Sequence, residues 1–236
     1  MKRFLLCAAL ALAAVPGPVR AAPSLDDLLK KTLDAYGGSG ALTRARIVQQ
    51  RGQVASTMRA GAAGQILRIF ERPRRLRVEV AHPGEPPEVR VLDGGQGWPD
   101  GVKVSGTVRH LAMVLQSVRL DLPFVLAQNR ARLADGGTVK RDGKKVRSVT
   151  MSLDGGVTLQ VDIDPATGRI LRSVGRAGAD IGQPMEFVTT YDDFRQVGEI
   201  VVPFREGNYA QGQKTGETVL ESVEILRAAP AGAFRP

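Results

Sequence analysis

Between Gln65 and Leu92 apolar and polar residues alternate with a period of two, interrupted by two proline-containing turns. Gln65–Glu71 ends at Arg72-Pro73. In Arg75–Ala81, Leu76, Val78 and Val80 alternate with Arg75, Arg77 and Glu79, the pattern of a half-buried strand. Glu88–Leu92 follows the turn His82–Pro87 and ends at Asp93-Gly94-Gly95, a hairpin signal. These segments predict an antiparallel meander with one apolar face and one basic face.

The same period predicts further strands over Ile47–Arg59, Lys144–Leu153, Val157–Ile163, Ile170–Arg176, Met185–Phe194 and Gly216–Leu226. After the turn at Gly198, Ile200, Val202 and Phe204 face inward, and Pro203 predicts an edge or a bulge. A helical period appears in three places. Ser24–Tyr36 carries Leu25, Leu28, Leu29 and Leu33 on one stripe, with Ser24 as cap and Asp26 and Asp27 in the first turn. Ala41–Arg46 predicts another helical turn. In mid-chain, Val108, Leu111, Leu115, Val118 and Leu122 fall three and four apart, and Pro123 opens a short helix that Asp121 is placed to cap.

Ten or eleven antiparallel strands and one apolar helix predict a mainly β (α+β) fold. Its expected form is a strongly curved antiparallel sheet, a half-open β-barrel wrapped around that helix. Periodicity alone also fits a closed lipocalin-like barrel; the early helix and the mid-chain helical insertion favour the half-barrel. Residues 22–227 form one domain in this reading, and residues 228–236 a flexible tail.

The N-terminus changes the picture. Met1-Lys2-Arg3, the apolar run Phe4–Val15 and small residues around Ala21 make a three-part secretory signal peptide over residues 1–21. The run is too short to span a membrane. Cys7 lies inside it, so cleavage leaves no cysteine and no lipid anchor. Lys2, Arg3 and Arg20 carry three of the 33 basic charges, leaving 30 against 24 acidic, a balance of +6. Export argues against nucleic acid and for anionic headgroups or an envelope transport complex as the surface such a chain meets.

Catalytic patterns are missing. His82 and His110 have no metal-ligand spacing, and no Gly-x-Ser-x-Gly elbow occurs. Asp162 and Asp164 read as turn-forming rather than metal-binding, and Asp192-Asp193 point to opposite faces of a strand. The expectation is a protein that is not an enzyme and uses no metal or cofactor.

Three motifs carry a resemblance. A strand ending in Arg72-Pro73, the later Val91-Leu92-Asp93-Gly94 with Trp98, and Leu122-Pro-Phe-Val-Leu-Ala-Gln-Asn129 resemble the LolA/LolB-like lipoprotein-carrier family over roughly residues 42–129. Tyr191-Asp-Asp-Phe and Val202-Pro-Phe-Arg205 are similar to the end of LolA-like domains. The resemblance implies a periplasmic, monomeric carrier that holds acyl chains of lipoproteins or another lipid in an apolar cavity. The alternative is a non-transporting envelope sensor or scaffold on the same fold. By that resemblance Arg72 latches a lid, and Trp98, Leu111, Leu115, Val118, Phe124, Phe187 and Phe204 belong to latch or cavity. For Arg72 an exposed strand end, and for Trp98 plain sheet packing, are the alternatives. The sequence is longer at its C-terminus than the family and lacks a tyrosine after the tryptophan.

Overall fold

Ile47–Ser56 (β1) lies inside a twelve-stranded antiparallel sheet, with Ala63–Glu71 (β2) on one side and Gln213–Leu226 (β12) on the other. This is a computed structural model describing residues 23–59, 61–154, 156–177 and 184–236. The expected signal peptide lies outside the described residues, as does most of the glycine-rich loop at 178–183. From β1 outward run β2, Arg75–Ala81 (β3), Glu88–Asp93 (β4) and Gln96–Pro99 (β5). From β12 outward run Ile200–Ala210 (β11), Met185–Val197 (β10), Ile170–Ala177 (β9), Thr158–Ile163 (β8), Lys144–Ser152 (β7) and Ala134–Arg141 (β6). β5 and β6 do not pair, so the sheet is open and the closed-barrel alternative falls.

The helices are Leu25–Ala35 (α1), Gly38–Arg44 (α2), Val108–Arg119 (α3) and Leu122–Gln128 (α4). Ser24 caps α1 by accepting from the Asp27 amide at 3.1 Å. Among the described residues no single helix is long and apolar enough to cross a membrane; α3 and α4 meet at a 90° bend. α3 touches β4 and β5 near one edge of the sheet and β9 toward the other. Leu111 and Leu115 pack into one core with β7–β11 and α1, while Met113, Val114 and Leu120 pack into a second with Ile66, Phe70, Leu76, Val78 and Leu92. Close contact with β9 depends on Gly175, where a Cβ would stand 2.1 Å from Leu115 Cδ2. The apolar helical stripe therefore faces the sheet, as its spacing predicts.

The other face of β2–β5 carries a third cluster, and it overturns the expectation of a flexible C-terminal tail. Ile47, Ile69 and Val91 pack there with Trp98 and with Ala233 and Phe234 of the C-terminal segment. Arg75 lies 4.7 Å over the Phe234 ring, and Arg77 Nη1 donates to the Ala233 carbonyl at 3.4 Å. The end of the chain is thus a strap that covers apolar surface, not a loose tail. The count of ten or eleven strands also falls short of twelve, because β5 is four residues long and β6 is mostly exposed at an edge where no alternation marks it.

Pro203 shows how a proline sits inside a sheet. β11 pairs with β12 only from Arg205 onward, so Ile200–Phe204 has β10 on one side and no strand on the other. Pro203 occupies this locally unpaired stretch, where its missing N–H breaks no ladder. Tyr36, which caps α1, covers the same stretch: its carbonyl accepts from the Val201 amide at 3.3 Å.

Candidate functional site

Arg72 leaves the end of β2 at the turn before β3 and points inward, 8% exposed. Its Nε donates to Asp121 at 2.8 and 2.9 Å, and Nη2 stands 2.6 Å from Asp121 Oδ1. Nη1 donates to the Leu42 carbonyl at 2.7 Å and to the Ala45 carbonyl. The guanidinium also lies 5.4 Å from the centre of Phe124 and 5.7 Å from that of Phe70. One side chain thereby ties the β2–β3 turn to the end of α2 and to the elbow between α3 and α4. Five fixed N–H donors suit arginine to this junction, and the exposed strand-end alternative is excluded.

Asp121 has a different job from the one its position before Pro123 predicts. It makes no side-chain capping bond to α4 and instead serves as the buried counter-ion of Arg72. Burial raises its carboxyl above the usual aspartate range, against the pull of Arg72. No sequence signal joins residues 72 and 121, because the pair forms only when the sheet meets the helical elbow.

Among the described residues two cavities line this helical layer. The smaller, about 60 Å³, lies beside the latch and is lined by Arg72, Phe70, Leu122 and Tyr36 among others. The larger, about 260 Å³, lies between α3 and the sheet. Its apolar wall is Val54, Ile66, Val80, Ala112, Leu120 and Phe187. Its polar wall is Arg68, Arg90, Gln116, Arg119, Thr189, Tyr191, Glu206, Asn208 and Thr218. Arg119, Leu120, Tyr191 and Glu206 line both and separate them.

The polar wall departs from the apolar lining the sequence leads one to expect. Arg68 and Glu206 form a buried two-pronged pair at 2.9 and 2.8 Å, with Gln50 and Thr218 alongside at 3.4 Å. Tyr191 shares a 2.7 Å hydrogen bond with Ser173, and burial pushes its phenol up to about 12. Arg119 donates to the Phe187 carbonyl at 2.6 Å. A signal for these residues was present: Arg68 sits in phase with Ile66 and Phe70, and Arg119 lies four residues after Leu115 on the apolar stripe.

Of the residues expected at latch or cavity, Arg72 and Phe187 line one of the two. Leu111, Leu115, Val118 and Phe204 pack into the main core instead, because the cavity opens on the side of α3 presented by Ala112, Gln116 and Arg119. Phe124 packs on the same core and stacks on Arg72. Trp98 is on the opposite face of the sheet, in register with Val91, and takes no part in the cavity. Its role is sheet packing.

The remaining sequence candidates resolve into structural roles. Asp164 accepts from the Ala166 amide and the Thr167 hydroxyl in its turn, while Asp162 meets Arg141 and Arg172 at 3.3 Å. His110 fixes the start of α3 to the β4–β5 turn through the Gly95 carbonyl at 3.0 Å. Among the described residues no group of three potential ligands could hold a metal ion.

No protein-family model matches the chain, and no curated protein matches it in sequence. Solved structures do match in shape. A LolA superfamily protein from Nitrosomonas europaea superposes with a TM-score of 0.58 at 10% identity, over 89% of this chain and 97% of that one. A DUF1329 family protein from Desulfovibrio piger gives 0.57 at 7% identity, over 89% and 97%. A domain from Vibrio parahaemolyticus assigned to outer membrane lipoprotein sorting gives 0.50 at 8% identity, over 89% and 95%. The chain has a LolA-like fold.

Proposed function

We propose that this protein is a monomeric periplasmic carrier that holds acyl chains, of a lipoprotein or another lipid, between α3 and the concave face of a half-open barrel. The observation that carries the reading is the cavity of about 260 Å³ roofed by α3, next to an elbow that Arg72 fastens. In the sheet order β4 and β9 lie seven strands apart, about 34 Å if flat. α3, about 18 Å long, touches both, which supports a sheet bent about the helix rather than a flat one. The LolA-like fold supports the same assignment.

A carrier must compete with a bilayer and still let go. Each methylene withdrawn from water contributes about 0.8 kcal/mol, and a single myristoyl chain partitions into bilayer with a constant of roughly 10⁴ M⁻¹. A roof that closes over the lining when cargo leaves keeps that apolar surface from water and so favours release. In this reading the chain catalyses no reaction, and binding and transfer are its whole function. The test is binding of a fluorescent fatty acid to delipidated protein, then transfer of the loaded probe between donor and acceptor vesicles. Binding with accelerated transfer supports a carrier. Binding without transfer leaves a lipid-holding module, and absence of binding removes the proposal.

A further inference from the structure

The larger cavity is more basic than an acyl pocket requires. Arg68 reaches it from β2, Arg90 from β4 and Arg119 from α3. Arg68 and Arg90 stand in one row across the sheet, each in register with Val78. Among the described residues Glu206 is the single carboxylate of the lining, and Arg68 already engages both its oxygens. Three arginines against one carboxylate leave the lining with two uncompensated positive charges.

The guanidiniums are also short of hydrogen-bond partners. Among the described residues the Nε atoms of Arg68, Arg90 and Arg119 are all buried without one. Glu88 and Asp100, the carboxylates that act on Arg90, are held by Arg59 and Arg109 at 2.9 and 2.8 Å. Burial pulls Arg90 and Arg119 below the usual arginine range. A cation kept in the interior without a counter-ion is costly, and a bound anion with several acceptor oxygens removes that cost.

We propose that this cavity binds the acidic group of its ligand, a carboxylate or phosphate, through Arg90 and Arg119 with Arg68 behind them, so that the cargo is an anionic amphiphile rather than a neutral lipid. The amphiphile rests on the acyl-chain reading above; the anion site stands on the arginines alone. At ~30 Å³ per water-sized group the cavity holds about nine such groups, most but not all of a decanoate, which serves as the probe with its chain end at the mouth.

Binding of decanoate, decanol and inorganic phosphate to delipidated protein is measured by calorimetry at about pH 7.5, where a carboxylate is ionised. Decanoate is expected to bind about tenfold or more tightly than decanol. Arg90→Gln and Arg119→Gln should each lose about tenfold in decanoate affinity and leave decanol unchanged. Arg90→Lys should keep part of the preference, and Arg51→Gln, on the exposed face of β1, all of it. If a glutamine variant does not fold, the wild-type comparison and Arg90→Lys decide. Equal binding of decanoate and decanol to the wild type overturns the anion site and leaves the acyl-chain reading standing. Phosphate binding that is lost in the glutamine variants, without decanol binding, keeps the anion site and overturns the acyl-chain reading. No binding of any probe overturns both.

Discussion

Arg72→Leu removes the side chain that fastens the α3–α4 elbow to the rest of the molecule. The loss comprises the contacts to Asp121 and to the Leu42 and Ala45 carbonyls. A hydrogen bond to a charged group contributes about 1.5–3 kcal/mol, and removing one partner of a buried ion pair costs about 3–5 kcal/mol. Asp121 is 3% exposed, so it would be stranded. Its raised pKa means that it can take up a proton instead, which places the expected loss near the lower limit, about 3 kcal/mol. At 1.36 kcal/mol per decade this moves the open–closed balance of the elbow about a hundredfold toward open. Closure competes with loading, so the variant should retain an acyl probe longer and pass it on more slowly. The assay is stopped-flow dissociation of a fluorescent fatty acid, with a thermal melt to show that the sheet is intact. Arg51→Leu, exposed on the face of β1 opposite Gln50, which lines the cavity beside the latch, is the control. Arg72→Leu combined with Asp121→Leu should recover much of the lost stability, because an apolar pair replaces a buried ionic one. Equal off-rates in wild type, Arg72→Leu and Arg51→Leu would refute the latch.

Other expectations follow from the same contacts. Tyr191 should titrate near 12 in the folded protein against ~10 in the unfolded chain. Its raised value gives stability that is complete below about pH 10 and lost as pH rises toward 12, on the order of 2–3 kcal/mol; Tyr191→Phe should flatten that part of a pH series of urea midpoints. Gly175→Val would drive a side chain into Leu115, which is 1% exposed, and should cost roughly 1–3 kcal/mol in denaturant unfolding. An unchanged midpoint would show that α3 is not packed against β9. Phe234→Ala should cost about 3 kcal/mol if the C-terminal strap contributes as its burial implies, and a melt identical to wild type would contradict that.

The parts of the fold legible in the sequence were those where one physical pattern dominated. Arg75–Ala81 alternates cleanly because one face of β3 is core, and the Leu111–Leu115 spacing identifies a helix that lies on a sheet. β6 was legible only in part, because burial patterns fade on an exposed edge. The covered strap was hidden because Ala233 and Phe234 are too few to show any period. At the site, Arg72 was reached through a motif, whereas Asp121 lies 49 positions away and only tertiary contact joins them. The cavity's charge was hidden for another reason. An arginine in an apolar phase reads as a lapse in alternation until the residues opposite it are known, and Arg68 and Arg90 are such lapses.

The strand order has a consequence for how the chain assembles. β2 to β5 and β6 to β11 are each built from neighbours in sequence, whereas β1 and β12 join residues 47–56 to residues 216–226. Each half can zip up locally, but the seam between them waits for the last strand to arrive. Until then the free backbone groups of β1 form a long unguarded template that another chain's strand could extend. Closing so large a loop also makes the seam the slow, high-contact-order step. A chain stopped before residue 213 therefore keeps an intact first meander with a sticky edge, and its failure would be intermolecular strand exchange rather than simple unfolding.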